Sequence, residues 1–545
     1  MGCASSSSGS AVREKDTGET WRSDEVEPGR EQPVDEDDHD KPYDDAALNL
    51  GVTLNIEEIR DAVIQSGRLF EDDEFPADES SLFFSNVNHD DTVWKRPHEL
   101  TESPRLLVDG VSRDDVIQGI LGDCWFLSSC AAIAQHKRFM EKVIPTNQFL
   151  WKDNSYIGMF HFKFWRFGKW VDVVIDDRLP TRYGQLMFAR ANDEREFWVP
   201  LLEKAYAKLH GLYEGLAGGQ ASDALVDMTG GLTERHDLQD PPTNLYQQLV
   251  RNARLGSFIT CSKKGDWRQA DHADDFGLVS GHAYTITAVR KCRLSSGSKV
   301  NLVRVRNPWG NATEWNGDWS DDSETWDDVS DKEKRSIGWK DKDDGEFWMS
   351  FEDFCTHFHE ITVCTVGPDF DGDGVADIVE NSGSSYYLKT LKGSWIKGLN
   401  AGGSRNNLTS FATNPQFVFT LTEPDDWDPE EDDLDSRGKC SVVITLMQEY
   451  RRKHRQLATK YHQIGFVIYS TNNPNKRLTK DHFMYNYATG RSGVYINYRE
   501  VNKRFSLDPG SYVLIPSTFD IGNVASFLIR IFAEKNFECR QLPDA

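Results

Sequence analysis

The spacing of apolar residues divides the chain first. From Ser5 to about Asp45 almost nothing apolar interrupts the Ser, Asp and Glu, so burial cannot offset the entropy of ordering, and 1–55 reads as a disordered acidic region. Ile56 to Phe70 places Ile59, Val63 and Ile64 on one helical face. Tyr156 to Ile175 alternates instead, with Phe160, Phe162 and Phe164 on one face and Gly168 at a turn, which predicts a β-hairpin. Phe197 to Leu209 returns to helical spacing through Leu201, Leu202, Ala205 and Leu209. Helices and strands are interleaved as far as Val366, so the class is α+β. Beyond a Gly- and Asp-rich linker at 367–384, short apolar runs at Gln416 to Leu421, Ser441 to Leu446 and Ser511 to Ile515 are separated by turn residues. They predict an antiparallel β-sandwich of roughly 150 residues, over 385–535 and closing near Ala533, with 536–545 as a tail.

The 545 residues leave room for three or four domains, and 38% apolar with 12% aromatic residues excludes a wholly disordered or fibrous chain. Lys and Arg number 62 against 88 Asp and Glu, a net charge of −26, which removes nucleic acid as an expected partner and favours multivalent cations. Nine scattered cysteines fit a reducing, cytoplasmic setting better than a secreted disulfide framework. No apolar run approaches the roughly 18 residues of a spanning helix, and the N-terminus lacks a secretory core. The chain does begin Met-Gly-Cys-Ala-Ser-Ser, in which Gly2 and Ser6 meet the N-myristoylation pattern and Cys3 offers a thiol for palmitoylation. Two acyl chains would hold the protein at the cytoplasmic face of a membrane.

Asp123 is positioned to cap a helix from Cys124 to Met140, in which Phe126, Leu127, Cys130, Ala131 and Ala134 recur with helical period. Cys124 then sits where the macrodipole favours a thiolate, below the ordinary thiol value of about 8.5. His282 opens one apolar strand and Asn307 closes another, with the turn Ser295 to Ser298 between them. An unbulged register with Arg290 opposite Lys299 sets His282 opposite Asn307, where the amide holds the imidazole tautomer. Gln118, six residues before Cys124, is a candidate oxyanion donor. Cysteine nucleophile, histidine base and orienting amide form the acyl-transfer constellation of papain-like proteases. Singly, each has a plain structural explanation: a buried Cys, a strand His, a turn Asn, a capping Gln.

The words around these residues add to that reading. QGILGDCWFLSS (Gln118 to Ser129), SGHAYTITAV (Ser280 to Val289) and RVRNPWG (Arg304 to Gly310) resemble the catalytic-core signatures of calpains, the calcium-dependent cysteine proteases. The resemblance extends through FPADESSLFF (Phe75 to Phe84), WKRP (Trp94 to Pro97), FWRFGKWVDVVIDDRLPT (Phe164 to Thr181), LLEKAYAKL (Leu201 to Leu209) and DGEFWMSFEDF (Asp344 to Phe354), and on to CSVVITLMQ (Cys440 to Gln448). It implies a two-lobed papain-like core, with lobes at 56–230 and 231–366, followed by a C2-like sandwich. A C-terminal penta-EF-hand domain is not expected, nor pairing with a small subunit through one. Each lobe of such a core binds one calcium, and the two ions draw the lobes together. The matching first-lobe ligands are the carbonyls of Val108 and Gly110 and the carboxylates of Asp115 and Glu196. The stretch before Glu196 is two residues longer than the family pattern. The second-lobe matches are Glu314, Asp321, Asp344 and Glu346 with the carbonyl of Lys342, and NPWGNATEW is one residue longer than its counterpart. Trp309 resembles the tryptophan that wedges between the lobes without calcium and shields the His–Asn hydrogen bond on closure.

Outside that resemblance, DFDGDGVADIVE (Asp369 to Glu380) matches an EF-hand loop, with Asp369, Asp371, Asp373 and Glu380 as ligands, Val375 through its carbonyl and Asp377 through water. Asp425 to Asp435 is acidic, and Arg451, Arg452, Lys453 and Arg455 form a basic cluster suited to an anionic leaflet. The expectation is a calcium-activated cysteine endopeptidase, held at a membrane by acyl chains and by its sandwich domain, that cuts protein substrates. Two rivals stand beside it: a transglutaminase-like acyl transferase and a catalytically silent, lipid-anchored calcium scaffold.

Overall fold

The computed structural model describes residues 55–85, 91–108, 115–134, 136–152, 156–254, 256–266, 272–309, 313–342, 344–366, 387–427, 434–449 and 461–543. Gly2, Cys3, Gly110, the loop from Asp369 to Glu380 and the basic cluster at Arg451 to Arg455 lie outside them.

The first helix runs Ile56–Ser66 and stops at Gly67, whose φ of 63° is the left-handed cap that glycine adopts without strain. Ile56, Ile59 and Val63 pack on a cluster of Phe149, Ile157, Met159 and Val174. Ile64, expected on that face, is exposed, because it lies one helical step past a stripe already completed by Val63. The hairpin pairs Met159–Arg166 with Lys169–Asp176 through a two-residue turn at Phe167 and Gly168, both at positive φ. Phe160, Phe162 and Phe164 are fully buried beneath the helix Trp198–His210, whose Leu201, Leu202, Ala205 and Leu209 fill the same core.

The expected helix from Cys124 to Met140 is two helices, Cys124–Ile133 and Lys137–Val143. Every residue of the first is buried, and Lys137, Arg138 and Glu141 could not reach water along its continued axis, so the chain turns at extended His136. The second lobe is a six-stranded antiparallel sheet in the order Glu346–Ser350, Lys299–Arg306, His282–Arg293, Phe258–Lys263, Glu360–Thr365, Leu232–Asp237.

Beyond it stands a β-sandwich of a four-stranded and a five-stranded sheet. On its strand Cys440–Gln448, Val442, Ile444 and Leu446 fill the sandwich core while Val443 and Met447 meet Leu232, Trp165 and Val226 of the preceding lobes, so both faces are covered. The segment expected to be a tail carries a further strand, Phe537–Gln541, paired with Phe417–Leu421. Phe537 closes the core while Glu538 and Arg540 face outward, an alternation that holds the strand at the sheet edge.

Candidate active site

Cys124 opens a buried helix that docks on the strand His282–Arg293, pinned by Thr285 Oγ1 donating to the Ser128 carbonyl at 2.7 Å. The strand's partner is Lys299–Arg306, but the register differs from the expected one. Arg293 pairs with Lys299 and Arg290 with Leu302, and a bulge between Ile286 and Ala288 then sets Thr285 opposite Arg306. His282 and Asn307 are therefore not ladder partners. The tight loop closes between Leu294 and Ser298, later than an unbulged count assumes.

Their side chains meet all the same. Asn307 lies just past the last ladder pair and its N–H donates to the Gly345 carbonyl at 2.7 Å, which leaves its side chain beside His282. Asn307 Nδ2 donates to the Thr313 carbonyl at 3.0 Å, so Oδ1 faces inward, where it accepts from His282 Nε2 at 2.9 Å and from the Trp309 N–H at 3.1 Å. An Oδ1 acceptor requires the proton on Nε2, which leaves Nδ1 as the basic nitrogen. The Trp309 ring lies over the imidazole with centroids 5.1 Å apart, and Tyr284 meets it edge-on at 5.0 Å.

The expected low thiol pKa does not hold in this conformation. Burial pushes Cys124 up to about 12, outweighing the Ala283 N–H that faces it, and the carboxyl of Asp123 adds to the rise. Burial likewise lowers His282 to about 4, against the opposing effect of the hydrogen bond it donates to Asn307. Burial this deep favours the neutral form of both partners, and the helix dipole is the smaller effect. The hydrogen bonds of the described residues include none between Cys124 Sγ and the imidazole.

Gln118 lies on the loop leading to Cys124, where its Nε2 donates to the Leu121 carbonyl at 2.7 Å. The second N–H of that amide is the one left for an oxyanion. Gly119 fixes the loop: a Cβ there would stand 2.2 Å from the Phe188 carbonyl oxygen. Gly219 plays the same part across from it, where a Cβ would meet the Trp125 ring at 2.4 Å.

Of the expected calcium ligands, Glu196 accepts from the Val108 N–H at 2.6 Å. Burial raises it to about 8, partly opposed by that bond, and the neighbouring carboxylates of Asp115 and Asp193 push further. In the second lobe Glu314 accepts from the Gly345 N–H at 2.6 Å and Asp321 from the Lys342 N–H at 2.9 Å. Burial raises Glu314 to about 7, with Asp321 and Asp344 repelling it further, and Asp321 to about 6, with Asp341 and Asp344 adding to the rise. Asp321 Oδ1 is buried without a hydrogen-bond donor. Glu346 stands apart, on a strand where its carboxylate lies 3.5 Å from Arg304 Nε. Among the described residues no three His, Cys, Asp or Glu side chains stand in a metal-ligating arrangement.

Residues 70–365 match the calpain family cysteine proteases, and residues 391–532 match domain III of the calpain large subunit. The chain belongs to the calpain family. It is 45% identical over 489 residues to calpain clp-1 of Caenorhabditis elegans, covering 89% of this chain and 61% of that protein. It is 43% identical over 485 residues to calpain-A of Drosophila melanogaster, covering 88% and 57% respectively. With human calpain-9 the identity is 41% over 501 residues, covering 91% and 69%. The chain thus spans about three fifths of the length of the first two relatives. No helix among the described residues is long and apolar enough to cross a membrane.

Sequence reasoning missed one feature of this calpain's site. Asp123 makes no side-chain capping bond; its carboxyl is buried against that of Glu203 on the helix Trp198–His210. The available signal was Glu203 itself, an acid between Leu202 and Lys204 on a helix whose neighbouring positions are apolar.

Proposed function

We propose that this calpain is a calcium-activated cysteine endopeptidase. The observation that carries the reading is the 2.9 Å bond from His282 to an Asn307 amide already oriented by Thr313, on the strand against which the Cys124 helix packs. Cys124 attacks the peptide carbonyl. His282 takes the thiol proton at Nδ1 and later gives one to the leaving amine, while Asn307 holds the ring through Nε2–H. The free Gln118 N–H and the Cys124 backbone N–H stabilise the oxyanion. Trp309 covers the His282–Asn307 bond and keeps water from competing for it.

The donor chemistry fits calcium. Carboxyl groups in both lobes are raised by burial and by one another, Glu196 to about 8, Glu314 to about 7 and Asp321 to about 6, and Asp321 Oδ1 lacks a donor. Val108, Gly110, Asp115 and Glu196 would hold one ion, and Glu314, Asp321, Lys342 and Asp344 a second; Glu346 would join them on leaving Arg304. A bound cation would supply the positive charge that turns these acids into carboxylates. Gly2 and Cys3 supply acyl anchors, which with the sandwich domain set the enzyme at the cytoplasmic face of a membrane, among protein substrates. The EF-hand-like loop from Asp369 to Glu380 is a further calcium-binding candidate.

The test is cleavage of casein and of the chain's own N-terminal region as calcium is raised to millimolar, with the parent and Cys124→Ser. Calcium-dependent cutting by the parent alone is expected. A parent that cuts nothing would favour the scaffold, and amine incorporation without cleavage would favour the acyl transferase.

A further inference from the structure

Asp123 immediately precedes the nucleophile. Its carboxyl is fully buried, and neither oxygen has an N–H or O–H donor. It faces Glu203, also buried, within hydrogen-bonding reach. Glu203 in turn accepts the Ala189 N–H, at 3.0 Å to Oε2 and 3.2 Å to Oε1.

Among the described residues no cation pairs with these two carboxyls. The adjacent Lys204 is bound to Asp176 at 2.7 Å. The titratable groups facing it are Cys124 and Cys130 from the nucleophile helix and Tyr213 from the segment after His210; none carries a positive charge. Beyond Glu203 lies a small cavity walled by Leu179, Pro180, Leu186, Phe188 and Tyr213, so no counter-charge comes from that side either. Two carboxylates cannot both stay ionised at contact in such surroundings, and a hydrogen bond between two carboxyls needs one proton.

We propose that Asp123 and Glu203 share a single proton and form a positioning pair. Their bond ties the residue before the nucleophile to the helix Trp198–His210 and, through Ala189, to the segment that Gly119 approaches, and so fixes where the Cys124 N–H and sulfur point. This rests on the peptidase reading above. Burial raises both groups, Asp123 to about 7 and Glu203 well above its ordinary value, in keeping with a proton retained at neutral pH. Loss of that proton in alkali sets two like charges together and adds a negative charge beside Cys124, which opposes the thiolate.

The experiment compares Glu203→Leu and Glu203→Gln in the full calcium-loaded chain. Leucine removes the link, and kcat is expected to fall about 10- to 100-fold with KM little changed. Glutamine donates to Asp123 and accepts from Ala189 without a titrating proton. It is expected to recover most of the kcat lost by leucine and to move the alkaline limb of the pH profile upward. Infrared spectra of Cys124→Ser should contain a protonated-carboxyl band at neutral pH that disappears when Glu203→Gln is added. A leucine variant with the parent's kcat, a glutamine variant no better than leucine while melting like the parent, or a missing band overturns the proposal. If leucine prevents folding, the glutamine profile and the band decide. If the parent cleaves nothing, the peptidase reading has failed, and the band alone still decides the pair.

Discussion

Asn307 does the most with the fewest atoms. One oxygen accepts from both His282 and the Trp309 backbone, and one N–H to Thr313 prevents the amide from flipping. Asn307→Ala frees the ring to rotate and to take the wrong tautomer. The fall in kcat expected in a casein-peptide assay is about 10²- to 10⁴-fold, with KM nearly unchanged and the melting temperature within a few degrees of the parent. The pairing of these two residues was legible in the sequence, but the reason was not. An unbulged count brings them together as ladder partners, whereas the bulge after Ile286 and the Gly345 contact bring them together past the end of the ladder. A bulge adds a residue without changing the apolar pattern, so periodicity cannot locate it. The thiol's environment was illegible for a different reason: a helix N-terminus is visible in sequence, but the depth at which it is buried is not.

At the level of elements, Asp176 closes the strand Lys169–Asp176 onto three other segments. It accepts from the Asp72 N–H at 2.9 Å and pairs with Lys204 at 2.7 Å and Arg178 at 2.6 Å. Burial by itself would raise this carboxyl, but the Lys204 ammonium and the Arg178 guanidinium reverse that and hold it at about 2. A carboxyl lowered from about 3.9 on folding stabilises the fold above that value, and the stabilisation is lost as pH falls through about 2. Asp176→Ala should cost about 3–5 kcal/mol in urea denaturation at neutral pH, with the difference from the parent shrinking in acid. A difference that stays constant into acid would assign the loss to packing. The element types themselves were readable where one face is apolar, as in the Phe160 hairpin and the Trp198–His210 helix. They were least readable where both faces are covered: the run Cys440 to Gln448 does not alternate, because the second face meets the protease lobes.

Across the whole molecule the sandwich grips the point where the chain passes between the lobes. Fully buried Arg530 donates to the Gly230 carbonyl at 2.7 Å and pairs with Glu500 at 3.1 Å, and Arg499 pairs with Asp227 at 2.7 Å just before that crossing. Arg530→Met leaves Glu500 buried without its cation and should cost about 3–5 kcal/mol by urea denaturation; a loss under about 1 kcal/mol would make the contact incidental. Such ion pairs have no sequence signature, since partners 30 and 272 positions apart are joined only by the fold. What unites the scales is a histidine already oriented by Asn307 but not yet bonded to the thiol, with Cys124 high and His282 low. Calcium is assigned the task of coupling them. The most direct test is the rate at which iodoacetamide alkylates Cys124, followed on its own peptide by mass spectrometry from acid to alkaline pH, with and without calcium. The account predicts that calcium speeds labelling near pH 6 about tenfold for each unit the thiol pKa falls, and that His282→Ala abolishes this gain. Labelling equally slow with and without calcium, or a gain that survives in His282→Ala, would contradict it.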